Sequence, residues 1–303
     1  MSSYLPEGID ATRGTRLLMF PEDRSLGRLT FVDHRRARGN LACEARGAVP
    51  IPAGTSAILD FTGSDSACLS TFEPDDLEEI HGLDSDEAIA NVSQLVGLRV
   101  LELGGLKITD AGLAHLSGLV NLYALWINPK SNVTGNGLVH LLGMSDLREL
   151  YLEAPLLDGS AAHISALATL RQLYLWDTRL TQVGFAHLPK LCNLDYLEIG
   201  GTKLSDTCVQ HLALITSLRE LSLSDARDVS DAGVPHLRAL TNLEALHIEG
   251  AQITDAGLLH LQELRHLRRL TLRDTHVTDA GIAAIQGALP LCAIICTSRV
   301  HPA

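Results

Sequence analysis

Aromatic side chains are scarce: Phe, Trp and Tyr together make up 4% of the 303 residues, although 46% are apolar. Leu must then carry the burial, which is the composition of a repetitive core rather than an irregular one. Lysine is scarcer still, 4 residues against 20 Arg, a bias that points to a GC-rich coding genome and so to a bacterial source. Positive charge is outweighed: the net charge of −12 argues against holding nucleic acid by general electrostatics, and no nucleic-acid partner is expected. The 6 cysteines form no C-x-x-C pair, and a chain of this size needs no disulfide staples. No apolar run reaches the roughly 18 residues of a membrane span. The start "MSSYLPEGIDATRG" lacks the basic region and apolar core of a secretory signal. A soluble, reduced, cytoplasmic chain with no membrane partner is expected.

What the chain has in abundance is a period. The stretch "LRVLELGGLKITDAGLAHLSGLVN" (98–121) is followed by repeats beginning at Leu122, Leu147, Leu170, Leu194, Leu218, Leu243 and Leu267, most of them 24 residues long. A half-repeat, "LCAIIC" (291–296), closes the series, and a degenerate copy (74–97) precedes it. Each repeat opens L-x-x-L-x-L, as in Leu98, Leu101 and Leu103, an alternation that predicts a strand with one buried face. A turn follows, then T/S-D-A-G-L, as in Thr109 to Leu113, a helix-start signal. Leu113, Leu116 and Leu119 form one apolar stripe, predicted to lie on a helix of about three turns. One repeat cannot bury its leucines; a stack of them can. Strands stack at roughly 4.8 Å and helices at roughly 10 Å, so the stack is expected to curve with its sheet inside.

The L-x-x-L-x-L opening and strand–turn–helix period resemble the leucine-rich repeat. The "ITDAGLxHL" continuation is similar to a bacterial subtype related to cysteine-containing leucine-rich repeats. The resemblance covers roughly residues 74–296 and implies an α/β solenoid, a horseshoe or arc with a parallel concave sheet and convex helices. It also implies protein recognition as the usual activity. Many such repeats carry Asn after the strand; this chain has Thr178, Thr202, Ala251 and Thr275 there. Threonine hydroxyls are therefore expected to take over part of that backbone bonding.

The organisation expected is a β-rich capping module at 1–72, a degenerate capping repeat at 73–97, eight repeats over 98–290, and a closing strand and tail at 291–303. The first module is basic (Arg13, Arg16, Arg24, Arg28, Arg35, Arg36, Arg38 and Arg46), and 73–87 is acidic. These read either as a docking patch or as solvated faces turned towards each other.

Seven histidines, His115, His140, His163, His187, His211, His236 and His260, share one repeat position. Parallel helices present such residues in a file, whereas zinc needs three or four ligands converging at roughly 2.0–2.3 Å. They are expected to bond carbonyls of adjacent repeats, and no metal or cofactor is anticipated. The aspartates Asp110, Asp158, Asp206, Asp231, Asp255 and Asp279 form a second column, read as anions at the N-termini of their own helices. Cys192 and Cys208 are read as structural thiols. No G-x-S-x-G, H-E-x-x-H or phosphate loop occurs, so no catalytic residue is assigned. The chain ends seven residues after the last predicted strand, so an appended ubiquitin-ligase domain is not expected.

The most informative positions are the non-leucine residues of the strands, which no core requirement dictates. Six of the seven Trp and Tyr fall there: Tyr123, Trp126, Tyr151, Tyr174, Trp176 and Tyr196. Trp126, Tyr151 and Tyr174 share a column, which sets successive rings near 4.8 Å apart. Arg148 and Arg171 flank them, and Glu102, Glu149, Glu153, Asp177, Asp195 and Glu198 form an acidic rim. Tyr, Trp and Arg are the residues enriched at interface hot spots, so these eight aromatic and Arg positions are the expected contacts for a protein or peptide on the concave face. The alternative is a self-stacked ladder that stabilises the sheet. The alternative function is an adaptor or substrate receptor in a larger, ubiquitin-ligase-like assembly, since "FEPDDLEEIHGLDSDEAI" (72–89) faintly resembles an F-box opening, although it fits better as a degenerate repeat. A monomer, or weak self-association through the same patch, is expected.

Overall fold

The structure is a computed structural model that describes residues 16–32, 41–51, 55–63 and 65–297. Arg13, Arg35, Arg36 and Arg38 of the basic segment, and the tail beyond 297, lie outside the described residues. The chain divides into two compact units, 1–133 with 139–147, and 134–138 with 148–303.

The first unit carries β1 (Arg16–Met19), β2 (Gly27–Val32), β3 (Leu41–Glu44), β4 (Ala48–Ile51) and β5 (Ser56–Phe61). They are followed by β6 (Glu79–Ser85), α1 (Asp86–Ala90), β7 (Val100–Lys107), α2 (Asp110–Leu113) and β8 (Ala124–Ile127). Strands β1 and β4 form an antiparallel pair, and β2 pairs antiparallel with both β3 and β5. From β5 onward the pairing turns parallel, β5 to β6, β6 to β7 and β7 to β8. Of the basic and acidic segments, Arg16 and Asp76 meet at 3.2 Å, with the Asp76 side chain buried.

The second unit carries β9 (Glu149–Glu153), α3 (Asp158–Ala166), β10 (Gln172–Trp176), α4 (Gln182–Phe185), β11 (Tyr196–Gly200), α5 (Asp206–Leu212) and β12 (Glu220–Leu223). Then come β13 (Ala245–Glu249), α6 (Asp255–Leu258), β14 (Arg269–Arg273), α7 (Asp279–Ala288) and β15 (Ala293–Thr297). Strands β9 to β15 pair in sequence order, all parallel. Along β9 the residues alternate half-buried and buried, with Leu150 and Leu152 fully enclosed. Each leucine so enclosed is worth about 1.5–3 kcal/mol, and the next repeat supplies the same pair in register. Strands β10 to β14 are each followed by a left-handed residue: Asp177, Gly201, Asp225, Gly250 and Asp274 have φ between 50 and 77°. Asp and Gly are residues that tolerate this region.

The helices differ from expectation. Residues 110–113 make one α turn, and Ala114–Gly118 continue as a 3-10 helix; α6 is likewise followed by a 3-10 segment, Leu259–Glu263. Leucines spaced strictly by three, such as Leu258, Leu261 and Leu264, eclipse one another at 3.0 residues per turn but drift round the axis at 3.6. All three of those leucines are buried, Leu258 at the end of α6, Leu261 within the 3-10 segment and Leu264 directly after it. Only α3 and α7 among the described residues extend as α-helix for more than two turns, and none is long and apolar enough to cross a membrane.

The aspartates also act differently. At every described α-helix start but that of α3, which follows Leu157, a hydroxyl is the true cap, as where Thr109 Oγ1 accepts from the Ala111 N–H and Thr254 Oγ1 from Ala256. The carboxylate that follows the cap reaches forward to the next repeat. Asp86 accepts from the Thr109 N–H at 2.8 Å and its hydroxyl at 2.6 Å. Asp158 does the same with Thr181, Asp206 with Ser230, Asp231 with Thr254 and Asp255 with Thr278. Asp158 also takes the Gly184 N–H, at 3.0 Å. The glycine of "DAG" is thereby explained: a Cβ on Gly257 would sit 2.2 Å from Asp231 Oδ1, and one on Gly184 2.6 Å from Asp158 Oδ1. The motif is thus one repeat's carboxylate, the next repeat's hydroxyl and the space between them.

Where Asn was expected to be replaced by threonine, Thr202 Oγ1 donates to Gly200 O at 3.1 Å and accepts from the Thr178 N–H at 3.2 Å. Among the described residues Thr275 Oγ1 is buried without a partner, so the substitution is only partly satisfied there.

Candidate functional site

The exposed face of the second unit's sheet is built from the residues between the leucines. Register sets Tyr151 directly beside Tyr174, and Tyr174 beside Glu198. The Tyr151 and Tyr174 rings lie 5.8 Å apart between centroids, a looser and tilted contact than a strict ladder would give. Tyr196 stands one position earlier on its strand, opposite Gln172, yet its ring lies 4.9 Å from that of Tyr174. Three tyrosines on three adjacent strands therefore form one continuous row, partly by diagonal contact.

Each phenol is tied down beside its own backbone. Tyr151 donates to Glu153 Oε2 at 2.7 Å and Tyr196 to Glu198 Oε2, each two residues on. Tyr174 points the other way, to Gln172 Oε1 at 3.1 Å. Burial pushes the Tyr174 phenol up to about 12, with the charges of Glu149, Glu198 and Glu220 adding to it. Burial, and then the adjacent Glu153 and Glu198, raise Tyr151 and Tyr196 further. No phenol on this face ionises near neutral pH, so the row offers ring faces and oriented carboxylates rather than a nucleophile or base.

Trp176 packs against the neighbouring strand: a Cβ on Gly200 would come within 2.4 Å of its ring. The indole occupies the space that the glycine leaves. Arg171 reaches forward to Asn193 O at 3.2 Å and Asp195 at 3.4 Å, and Arg148 to Thr169 O. The two guanidinium groups expected to flank the rings thus brace the loop before the next strand. In the first unit, Arg99 makes the same forward bond to Asn121 O and also covers Tyr123, its Cζ 5.9 Å from that ring. Tyr123 is exposed there, while Trp126 stacks on His81 at 5.9 Å. Glu102, expected in the acidic rim, accepts from Asn128 Nδ2.

Of the histidine column, only His163 among the described residues bonds a carbonyl, Gly135 O at 3.4 Å. His115, His140 and His260 are simply exposed. Among the described residues no three His, Cys, Asp or Glu side chains are grouped to hold a metal ion. Cys208 is buried, but Cys192 is exposed and so is not part of the packing.

One feature escaped the sequence reading. A cavity of about 650 Å³ opens at the helix-start edge of the second unit, lined by Arg179, Thr181, Gln182, Lys203, Ser205 and Cys208 among others. There the forward carboxylate is missing, because Gln182 stands in the Asp position, and Cys208 replaces the glycine that would accommodate it. The signal was legible as a break in the repeat.

Compared with known proteins, residues 239–261 and 263–285 match the family described as leucine-rich repeat. No curated protein matches the chain in sequence. Among solved structures, an internalin (inlF) from Listeria monocytogenes is similar with a TM-score of 0.58 at 18% identity, over 77% of this chain and 70% of that one. Internalin C2 (inlC2) from the same organism is similar with a TM-score of 0.51 at 24% identity, over 63% of this chain and 76% of that one. At these identities the likeness establishes the leucine-rich repeat fold.

Proposed function

We propose that this leucine-rich repeat protein is a non-enzymatic scaffold that binds a protein or peptide on the sheet face of its repeats. The observation that carries the reading is the row Tyr151–Tyr174–Tyr196, three contacting rings on positions that no core requirement selects. Tyrosine supplies a large, stiff, amphipathic contact, and such residues dominate interface energetics. Because strands pack more closely than helices, the sheet face is the inner, concave one, which a partner would enter. Trp176 extends the row, and Tyr123 and Trp126 offer aromatic contacts on the first unit's own sheet. Arg148 and Arg171 act by holding the loops beside the row. Residues 1–72 serve in this reading as the cap that covers the first repeat, and 291–303 as the closing strand and tail.

The test is selection from a random peptide library against the parent and a Tyr174→Ala/Tyr196→Ala variant, alongside thermal melts of both. The reading expects peptides whose capture falls about tenfold or more in the variant, with the melt nearly unchanged. Peptides captured equally by both proteins, or a melt that collapses while capture by the folded fraction survives, would identify the row as a stabilising ladder. Concentration-dependent light scattering of the parent that disappears in the variant would assign the row to self-association instead.

A further inference from the structure

We infer that the tyrosine row selects arginine, so that the partner is an extended, positively charged segment. The inference rests on the sheet-face reading above and specifies its chemistry.

Three carboxylates stand around the row without a cation. Glu153 and Glu198 hold the hydroxyls of Tyr151 and Tyr196 through one oxygen each, Oε2 in both cases. Glu220 lies on the next strand, opposite Tyr196. Among the described residues none of the three is in an ion pair, whereas the nearby arginines are committed elsewhere, Arg171 to Asp195 and Arg219 to Glu244. The upward push that Glu198 and Glu220 exert on Tyr174 and Tyr196 reflects the same unbalanced negative field.

Aromatic faces and free carboxylates attract the same group. A ring presents its negative quadrupole to a cation, and a carboxylate oxygen accepts from a guanidinium with charge assistance. Here the two are interleaved, since Tyr174 has Tyr151 on one side and Glu198 on the other. A planar guanidinium lying on the Tyr174 ring could donate edgewise to the unused oxygen of Glu198 or Glu153. An ammonium would use the charge but not the stacking. The phenol hydrogen bonds hold the carboxylates in place before the ligand arrives, which lowers the ordering cost of binding. The occupant is therefore an extended peptide segment with arginine on its sheet-facing side.

The experiment uses the full chain and a synthetic peptide of alternating Arg and Thr, followed by calorimetry. The comparison peptide replaces each Arg by citrulline, which keeps the planar shape and removes the charge. The Arg peptide should bind, and the citrulline peptide should bind about tenfold or more weakly, because both ring and carboxylate contacts depend on the charge. Raising salt from about 0.05 to about 0.3 M should weaken the Arg complex as screening shortens. Glu153→Gln/Glu198→Gln keeps an acceptor for each phenol, and should lose about tenfold in affinity while melting like the parent; Glu198→Gln alone serves if the double variant melts lower. Equal binding of the two peptides, full affinity in the Gln variants, or no binding of the Arg peptide overturns the inference. If the library then yields neutral or acidic peptides that Tyr174→Ala loses, the sheet-face reading stands and only its cationic chemistry falls. If no selected peptide depends on Tyr174, both fall together.

Discussion

The helix-start edge and the sheet face of the same repeats obey opposite rules. Along the edge the side chains recur because each is fitted to another repeat, as Asp231 is bonded by Thr254 and needs the space that Gly257 leaves. Across the face they differ from strand to strand, Tyr151, Tyr174, Glu198, Ser222, His247 and Thr271 in consecutive register. The edge also departs from its rule in a correlated way. Gln182 replaces Asp where Cys208 replaces Gly, and Gly135 replaces Asp where Ser160 replaces Gly; a Cβ on Gly135 would sit 2.3 Å from that of Ser160. Positions that vary together are joined by contact, and positions that vary singly are free for selection by something outside the fold.

The sharpest test of the face is a pair of neighbours on β10. Leu173→Ala should cost about 2–5 kcal/mol, the range for a buried leucine, whereas Tyr174→Ala, on the other side of the same strand, should cost about 1 kcal/mol through its ring contacts. Urea titration separates the two, and equal costs would mean that the row is core. On the edge, Gly257→Ala should destabilise by about 2–3 kcal/mol, because the new Cβ displaces a carboxylate that makes charge-assisted bonds. Helix propensity alone gives the opposite sign, a gain of about 1 kcal/mol, so the direction of the shift decides the matter.

A smaller effect probes the correlated break. Gln182→Asp alone places a carboxylate against Cys208, and Cys208→Gly alone empties a buried position. The double variant should recover the pattern of the other junctions, with a favourable coupling of about 1–2 kcal/mol in a double-mutant cycle. Strict additivity would show that the two positions do not communicate.

The smallest effect is a pH dependence. Burial by itself would raise the Asp158 carboxyl, but the N–H and hydroxyl of Thr181 and the N–H of Gly184 outweigh it and hold it below the ordinary range. The Thr278 hydroxyl, and then its N–H, do the same for Asp255. A carboxyl held low in the folded state stabilises the fold above its unfolded value of about 3.9, and loses that contribution as the pH falls through the folded value. Stability should therefore decline below about pH 4, and Asp158→Asn with Asp255→Asn should flatten the decline. An unchanged slope in denaturation midpoints between about pH 4 and pH 2 would remove these carboxylates from the account.

The strands, their buried faces and the outward set of aromatics were legible because an alternation of leucines has one interpretation on a pleated strand. The 3-10 segments were not read from the sequence: the strict spacing by three of Leu258, Leu261 and Leu264 also fits the stripe of an α-helix, which tolerates it over a short stretch. The target of each aspartate was not legible either, since Asp158 and Thr181 are 23 residues apart and meet only when repeats stack. Arg148 and Arg171 looked like part of the aromatic patch because they precede its strands; their side chains run forward to loop carbonyls that only the stacked neighbour brings within reach.

The period and the parity of its leucines settle which residues are core and which are free, since burial in a repeating stack is a property of spacing. Partnerships between one repeat and the next belong to the folded chain: the forward carboxylates, the diagonal contact that adds Tyr196 to the row, and Glu153, Glu198 and Glu220, which pair with no cation among the described residues. Each depends on a rise, a register and a rotamer that sequence spacing does not encode.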